Sequence, residues 1–381
     1  MRLAELVQRD VSPFVEICKT PTRQSDGILQ GLPYVAKDMF QYPGRKPSWG
    51  LAHPVDNLPV DVKADVLSAL DNAGASLVGF TRMTALAYEP SGVNPLQHAP
   101  LNPWNPSYAP GASSSGSAVA VASGAAFAAL GSDTGGSLRI PAQGCGVTAW
   151  KPTNGTVSTN GAMPLAPSLD AIGILARSGR DIQELLAVLL DHERQHEREI
   201  GQLNIGVVEE AIQASDSSVR MCCETAMDTL SRCGLRFNEY GGMRVIQEAA
   251  KEALVVMQAE AARAHCARLG EPEFDPMLAR RLSKGLEISD EDLSASLERR
   301  TDHQDTLFNG TDLLLLPVMP IGTPPLAETD PSSAQFSART LYALSNYTRF
   351  ANYLGLPAVA FPVGFDDRQM PVAMQLVGRP G

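Results

Sequence analysis

GASSSGSAVAVASGAAFAALGSDTGGSLRIPAQGCGVTAWKPTNG, residues 111–155 of a 381-residue chain, concentrates serine and glycine without becoming repetitive. A flexible linker would lack apolar partners, whereas this run carries Val119, Val121, Phe127, Leu130, Ile140 and Val147, all residues that favour burial. It therefore reads as a site-forming loop held on a buried scaffold. Ser113 sits in Ala-Ser-Ser-Ser-Gly ahead of a small-residue helix, and a strand-like stretch from Phe127 to Leu130 follows. Ser137 comes next, directly after Gly135 and Gly136, where bare backbone lets main-chain N–H groups converge on one point.

Upstream, Leu32-Pro33-Tyr34-Val35-Ala36-Lys37-Asp38 is a short apolar strand that ends in a lysine instead of alternating toward solvent. With Lys37, Ser113 and Ser137, the chain resembles the amidase signature family. The two serines are 24 residues apart, and Asp133 to Pro141 reads Asp-Thr-Gly-Gly-Ser-Leu-Arg-Ile-Pro. Cys145-Gly146 then precedes Lys151-Pro152-Thr153, again in the family's pattern. The likeness is strong from Gly31 to Arg177. It returns weakly in Leu316-Pro317, Leu356-Pro357-Ala358 and Gln375-Leu376-Val377-Gly378, with none read between 190 and 305.

The resemblance implies acyl transfer through a Ser-Ser-Lys triad, in which Ser137 attacks an amide carbonyl, Ser113 relays its proton and Lys37 accepts it. A lysine can act as that base only when neutral, and an apolar strand supplies the burial that lowers its pKa. The tetrahedral oxygen would be held by main-chain N–H groups of Thr134, Gly135, Gly136 and Ser137. The resemblance also implies a cis peptide bond ahead of the relay serine, here after Ala112 where glycine is common. No cofactor or metal is implied.

Each residue also has a plainer reading. Lys37-Asp38 could be a solvated strand end, and Ser113 and Ser137 could be helix N-caps. Taken together, at the family's spacing, they favour catalysis. Asp133 and Arg139 are assigned to structural support, because buried charges exist to pair or to satisfy backbone. His192-Glu193-Arg194-Gln195-His196 matches H-E-x-x-H, the pattern of a zinc peptidase, with Glu209 or Glu210 as a third ligand. The segment continues Glu197-Arg198-Glu199, charged on every side, and reads as an exposed helix end. Gly144 to Ala149 fits G-x-G-x-x-A but follows Ile140-Pro141 and runs into Lys151-Pro152, so a dinucleotide site is not expected. Neither a P-loop nor a G-x-S-x-G elbow occurs.

With 44% hydrophobic and 19% charged residues, the chain can bury a large core. A net charge of −11 with no offsetting basic run disfavours nucleic-acid or anionic-membrane partners. The first residues lack a signal-peptide core, and no apolar run spans a bilayer, so a cytoplasmic protein is expected. Six scattered cysteines form no disulfide framework; Cys222, Cys223 and Cys233 read as small apolar helix residues.

Helical and strand-like segments alternate, which gives an α/β class. Asp61 to Ala73 reads as a helix, with a strand from Ser76 to Gly79. Asn204 to Val208 is a strand and Ser217 to Cys233 a helix. Helices follow at 244–269 and 290–307, then strands at Asp312 to Pro317 and Pro357 to Val363. The family's fold, a mixed central sheet sandwiched between helix layers, agrees with this order. One domain over 1–381 is expected, with a catalytic core at 25–180, a variable helical region at 190–305 that shapes the pocket, and C-terminal strands at 310–381. The expected function is hydrolysis of a small amide, aryl-acetamides and urea-derived amides being examples, with a homodimer as a compatible assembly. The alternative is a non-catalytic or complex-dependent protein, like the A-type chains of amidotransferases. The resemblance implies a longer chain in those relatives, which generally continue into a last helix after the position of Gly381.

Overall fold

The computed structural model describes residues 2–19, 26–190, 200–271 and 274–380. Its frame is one mixed sheet, and the strands are β1 (Phe14–Ile17), β2 (Pro33–Lys37), β3 (Ser76–Thr81), β4 (Ala128–Asp133), β5 (Thr148–Lys151) and β6 (Ala171–Ala176). The second half adds β7 (Ile205–Val207), β8 (Phe237–Glu239), β9 (Leu313–Pro317), β10 (Ala358–Phe365) and β11 (Pro371–Gly378). Their order across the sheet is β1-β3-β2-β4-β6-β5-β10-β11-β9-β7-β8. The α/β class is thus as the alternation of segments predicts, and the central mixed sheet is as the resemblance implies.

Both faces of the sheet are covered, which explains why its strands are apolar without alternation. Tyr34 and Ala36 of β2 pack with Leu130, Ile172 and Ile174 on one face, under Leu67 and Leu70 of the helix Asp65–Asn72. Val35 and Ala129 point the other way, toward Ala118, Val119 and Val121 of the helix Ser115–Ala122. That helix is built almost wholly of small residues, which lets it lie close against the strands. The region read as variable and helical supplies the helices Ser217–Arg232, Met243–His265, Pro276–Gly285 and Asp290–Leu307. Pro276–Gly285 has no counterpart in the reading of the sequence; Asp275 caps it by accepting from the N–H of Met277 and Leu278.

One parallel pairing sets up the site. β2 runs parallel to β4, with Tyr34 opposite Ala128 and Ala36 opposite Leu130, so the carboxyl ends of both strands finish side by side. Lys37 ends one and Asp133 the other. Residues that follow adjacent parallel strands open into one crevice, where open α/β sheets commonly carry their ligands. Among the described residues no helix is long and apolar enough to cross a membrane. All six cysteines are free; Cys223 is buried, but Cys233 is exposed and lies just past its helix.

Candidate active site

Lys37 is fully buried at the end of β2, not solvated. Strand alternation turns it to the same face as Val35, toward the turn that precedes the helix Ser115–Ala122. Its ammonium donates to three hydroxyls: Ser113 Oγ at 2.6 Å, Ser132 Oγ at 2.8 Å and Ser114 Oγ at 3.1 Å. Burial lowers its pKa to about 7, against the pull of the Asp133 and Asp170 charges. Near neutral pH a substantial fraction of Lys37 is therefore a free amine with a lone pair directed among hydroxyls.

Ser113 is not a helix cap, since its Oγ is taken by Lys37 and the residue before the helix is Ser114. Main-chain bonds fix the turn: Gly111 N–H donates to Ser91 O at 2.9 Å and Ala112 N–H to Pro90 O at 2.7 Å. The expected cis bond is absent, for the described residues contain none; the chain turns instead through Ala112 at φ 36°. A Cβ on Gly111 would meet the main chain of Ile140 and Pro141 at 3.1–3.2 Å, so this turn abuts the start of the helix that follows Ser137.

Ser137 stands on the turn between β4 and the helix Arg139–Cys145, and it too is not the cap. The capping group is Asp133, whose carboxylate accepts from the N–H of Gly136 at 2.8 Å, Leu138 at 3.1 Å and Arg139 at 3.4 Å. The Arg139 guanidinium completes the shell, with Nη2 at 2.9 Å and Nε at 3.1 Å from Asp133. Although burial opposes it, this pairing holds the Asp133 carboxyl well below the usual range. The supporting role expected of Asp133 and Arg139 is what their contacts describe. Gly136, at φ 127°, must be glycine, because a Cβ there would overlap the Thr348 hydroxyl.

The four N–H groups expected to converge on a ligand do not all face one way. That of Gly136 is committed to Asp133, whereas those of Gly135 and Ser137 have no partner among the described residues. Thr134 donates its hydroxyl to Asp170 Oδ1 at 2.6 Å. Asp170 also accepts from the N–H of Leu165 and Ala166, which ties a second loop to the turn. Burial raises the Asp170 pKa to about 6.

Ser137, Thr134 and Gly135 line a cavity whose other walls include Tyr88, Glu89, Leu254 and Arg349. Two successive residues ahead of that wall, Leu86 and Ala87, hold φ of 48° and 58°. Such conformations persist only where the surroundings impose them, commonly beside functional sites. Reading of the sequence missed Ser114 and Ser132 as partners of Lys37. Ser114 had a signal in the Ser-Ser-Ser run, and Ser132 lies on the strand that ends at Asp133. The walls at Glu89, Leu254 and Arg349 carry no local signature at all.

His192 and His196 lie outside the described residues, while Glu209 and Glu210 open the short helix Glu209–Gln213. Among the described residues no group of three or more His, Cys, Asp or Glu could hold a metal ion.

Comparison with known proteins places the chain in a family. The family model described as Amidase matches residues 16–381, which extends the likeness through the 190–305 region where none was read. The A-type chain of glutamyl-tRNA(Gln) amidotransferase from Coxiella burnetii (strain Dugway 5J108-111) is 32% identical, over 92% of this chain and 80% of that protein. A crystal structure of an amidase is 31% identical with a TM-score of 0.89, covering 100% of this chain and 91% of that one. The corresponding glutamyl-tRNA(Gln) amidotransferase chain from Thermotoga maritima is 26% identical with a TM-score of 0.83, covering 100% and 88%. The chain belongs to the amidase signature family, whose members cleave amides.

Proposed function

We propose that this enzyme hydrolyses the C–N bond of a small carboxylic amide through a seryl acyl-enzyme, with Ser137 as nucleophile, Ser113 as proton relay and Lys37 as base. The observation that carries the reading is the 2.6 Å contact between Lys37 and Ser113, made by a lysine whose pKa burial has brought to about 7. A serine hydroxyl is a weak nucleophile until a neighbouring base takes its proton, and an ordinary lysine is protonated at neutral pH.

In the first half-reaction the Ser137 oxygen bonds to the amide carbon as its proton passes to Ser113, whose own proton passes to Lys37. The oxyanion that forms would lie against the unpartnered N–H groups of Gly135 and Ser137, and loss of one such donor typically costs ~2.7–4 kcal/mol in the transition state. The proton then returns through Ser113 to the departing nitrogen, because an amide anion leaves badly. Water attacks the ester by the same route in reverse, releasing the acid and restoring Ser137. No metal or cofactor enters this scheme.

Labelling by a fluorophosphonate, read by intact mass, tests the assignment. One adduct is expected on the wild type and none on Ser137→Ala; an adduct retained by Ser137→Ala would remove Ser137 from its role.

A second reading has support in the relatives. A chain 32% identical over most of its length to an amidotransferase component could release ammonia only inside a complex. Turnover of amides by the isolated chain would count against this reading.

A further inference from the structure

Arg349 begins the short helix Arg349–Tyr353 and stands on the wall of the cavity that Ser137 lines. It is only 7% exposed, yet its Nε has no hydrogen-bond partner. Nη2 donates to the amide oxygen of Asn346 at 2.7 Å, which orients the guanidinium without neutralising it. Among the described residues Arg349 forms no ion pair. Its stem is fixed against the nucleophile's own turn, since a Cβ on Gly135 would sit 3.4 Å from Arg349 Cγ.

An unpaired buried guanidinium is costly, and a protein of net charge −11 has no shortage of carboxylates with which to pair one. The second guanidinium of the cavity, Arg281, shows the contrast. It interacts electrostatically with Glu89, a carboxylate on the same wall. Arg349 has no such counter-charge among the described residues. An unpartnered Nε, a fixed stem and a position beside Gly135 together describe half of an ion pair whose other half arrives with the substrate.

We propose that Arg349 binds a carboxylate borne by the amide substrate, so that the preferred substrates are short amides with a carboxylate at the other end. The planar guanidinium matches a carboxylate in charge and shape, and the two form charge-assisted hydrogen bonds. The inference rests on the amidase reading for the identity of the reacting bond, but the anion site can be tested without turnover.

Succinate, glutarate and adipate are titrated calorimetrically into Ser137→Ala, and into the same protein carrying Arg349→Leu or Arg349→Lys, with thermal melts as a folding control. At least one diacid is expected to bind, with affinity about 10-fold lower after Arg349→Leu and partly restored by Arg349→Lys. In parallel, the ratio of kcat/KM for glutaramate to that for neutral pentanamide is expected to exceed one in the wild type and to fall about 10-fold in Arg349→Leu. Absence of binding by all three diacids, or equal affinity in Ser137→Ala and its folded Arg349→Leu form, would overturn the proposal. Failure of the amidase reading would look different: no amide turned over and no label on Ser137, while the diacid titration still decides the anion site.

Discussion

Lys37 and Lys151 invite comparison because they match in almost everything except their partners. Each is the last residue of a strand in the same sheet, and each is fully buried. Burial lowers both pKa values to about 7. Around Lys37 stand three hydroxyls, those of Ser113, Ser114 and Ser132. Around Lys151 stand three oxygens that can only accept: Pro152 O, Leu356 O and Asn154 Oδ1, each at 2.8 Å. A hydroxyl can accept from an ammonium or donate to an amine, whereas a carbonyl oxygen can only accept. The ring about Lys37 therefore tolerates both protonation states and can pass a proton. The ring about Lys151 is filled only by the ammonium, and its work is to tie β5 to the segment before β10. On the proposed mechanism, what fits Lys37 to act as a base is less its depth than the freedom of its neighbours to reverse their hydrogen bonds.

The largest effect expected from this contrast is on activity. Lys37→Met should lower kcat/KM by about 10²–10⁴-fold, the usual range for losing a general base, while the melting temperature holds or rises. Steady-state kinetics with a parallel melt would show it, and a Lys37→Met protein with near-normal activity would break the comparison at its first half. Lys151→Met should do the reverse, losing stability because three buried acceptors are left without donors at ~1–3 kcal/mol each. Denaturant unfolding measures that loss; stability equal to wild type would mean the acceptors find other donors.

A third expectation concerns pH and stability. The folded pKa of Lys37 lies below its ordinary value of 10.5, so between about 7 and 10.5 the unfolded chain binds more protons there than the folded one. Stability conferred at this site thus rises with pH through that window and is lowest below about 7. Lys37→Met should flatten the slope of unfolding free energy against pH by up to one proton, and an unchanged slope would show that Lys37 stays charged when folded. The smallest effect belongs to Ser132→Ala, which leaves Lys37 two hydroxyls, including the one that matters for transfer. A loss of up to about 10-fold in kcat/KM is expected, that of one hydrogen bond; a loss as large as that of Lys37→Met would make Ser132 part of the relay.

Much of this site was legible in the sequence because it is local. A strand ending in Lys37, a small-residue helix after Ser113 and a glycine turn before Ser137 are each written in a few consecutive residues. So is the pairing of Asp133 with Arg139, six positions apart on a helix start. The plainer readings of Ser113 and Ser137 turn on a side chain's direction. Ser113 and Ser137 have the chemistry of helix caps, but Asp133 already satisfies the N–H groups that Ser137 could have capped. Parallel pairing of β2 with β4 brings Lys37 to Ser132 across 95 residues, which no local pattern encodes. Arg349 is the extreme case: it reaches Gly135 from the far end of the chain, and only the folded sheet makes them neighbours.

The central claim is that a neutral Lys37 activates Ser137 through Ser113. The rate constant for fluorophosphonate labelling of Ser137, measured from pH 5 to pH 9, tests it most directly. The account predicts a rate that rises about tenfold per pH unit at the acid end and levels off above about 7, as the lysine loses its proton. A rate independent of pH across that range, or one still climbing toward the ordinary lysine pKa, would contradict it.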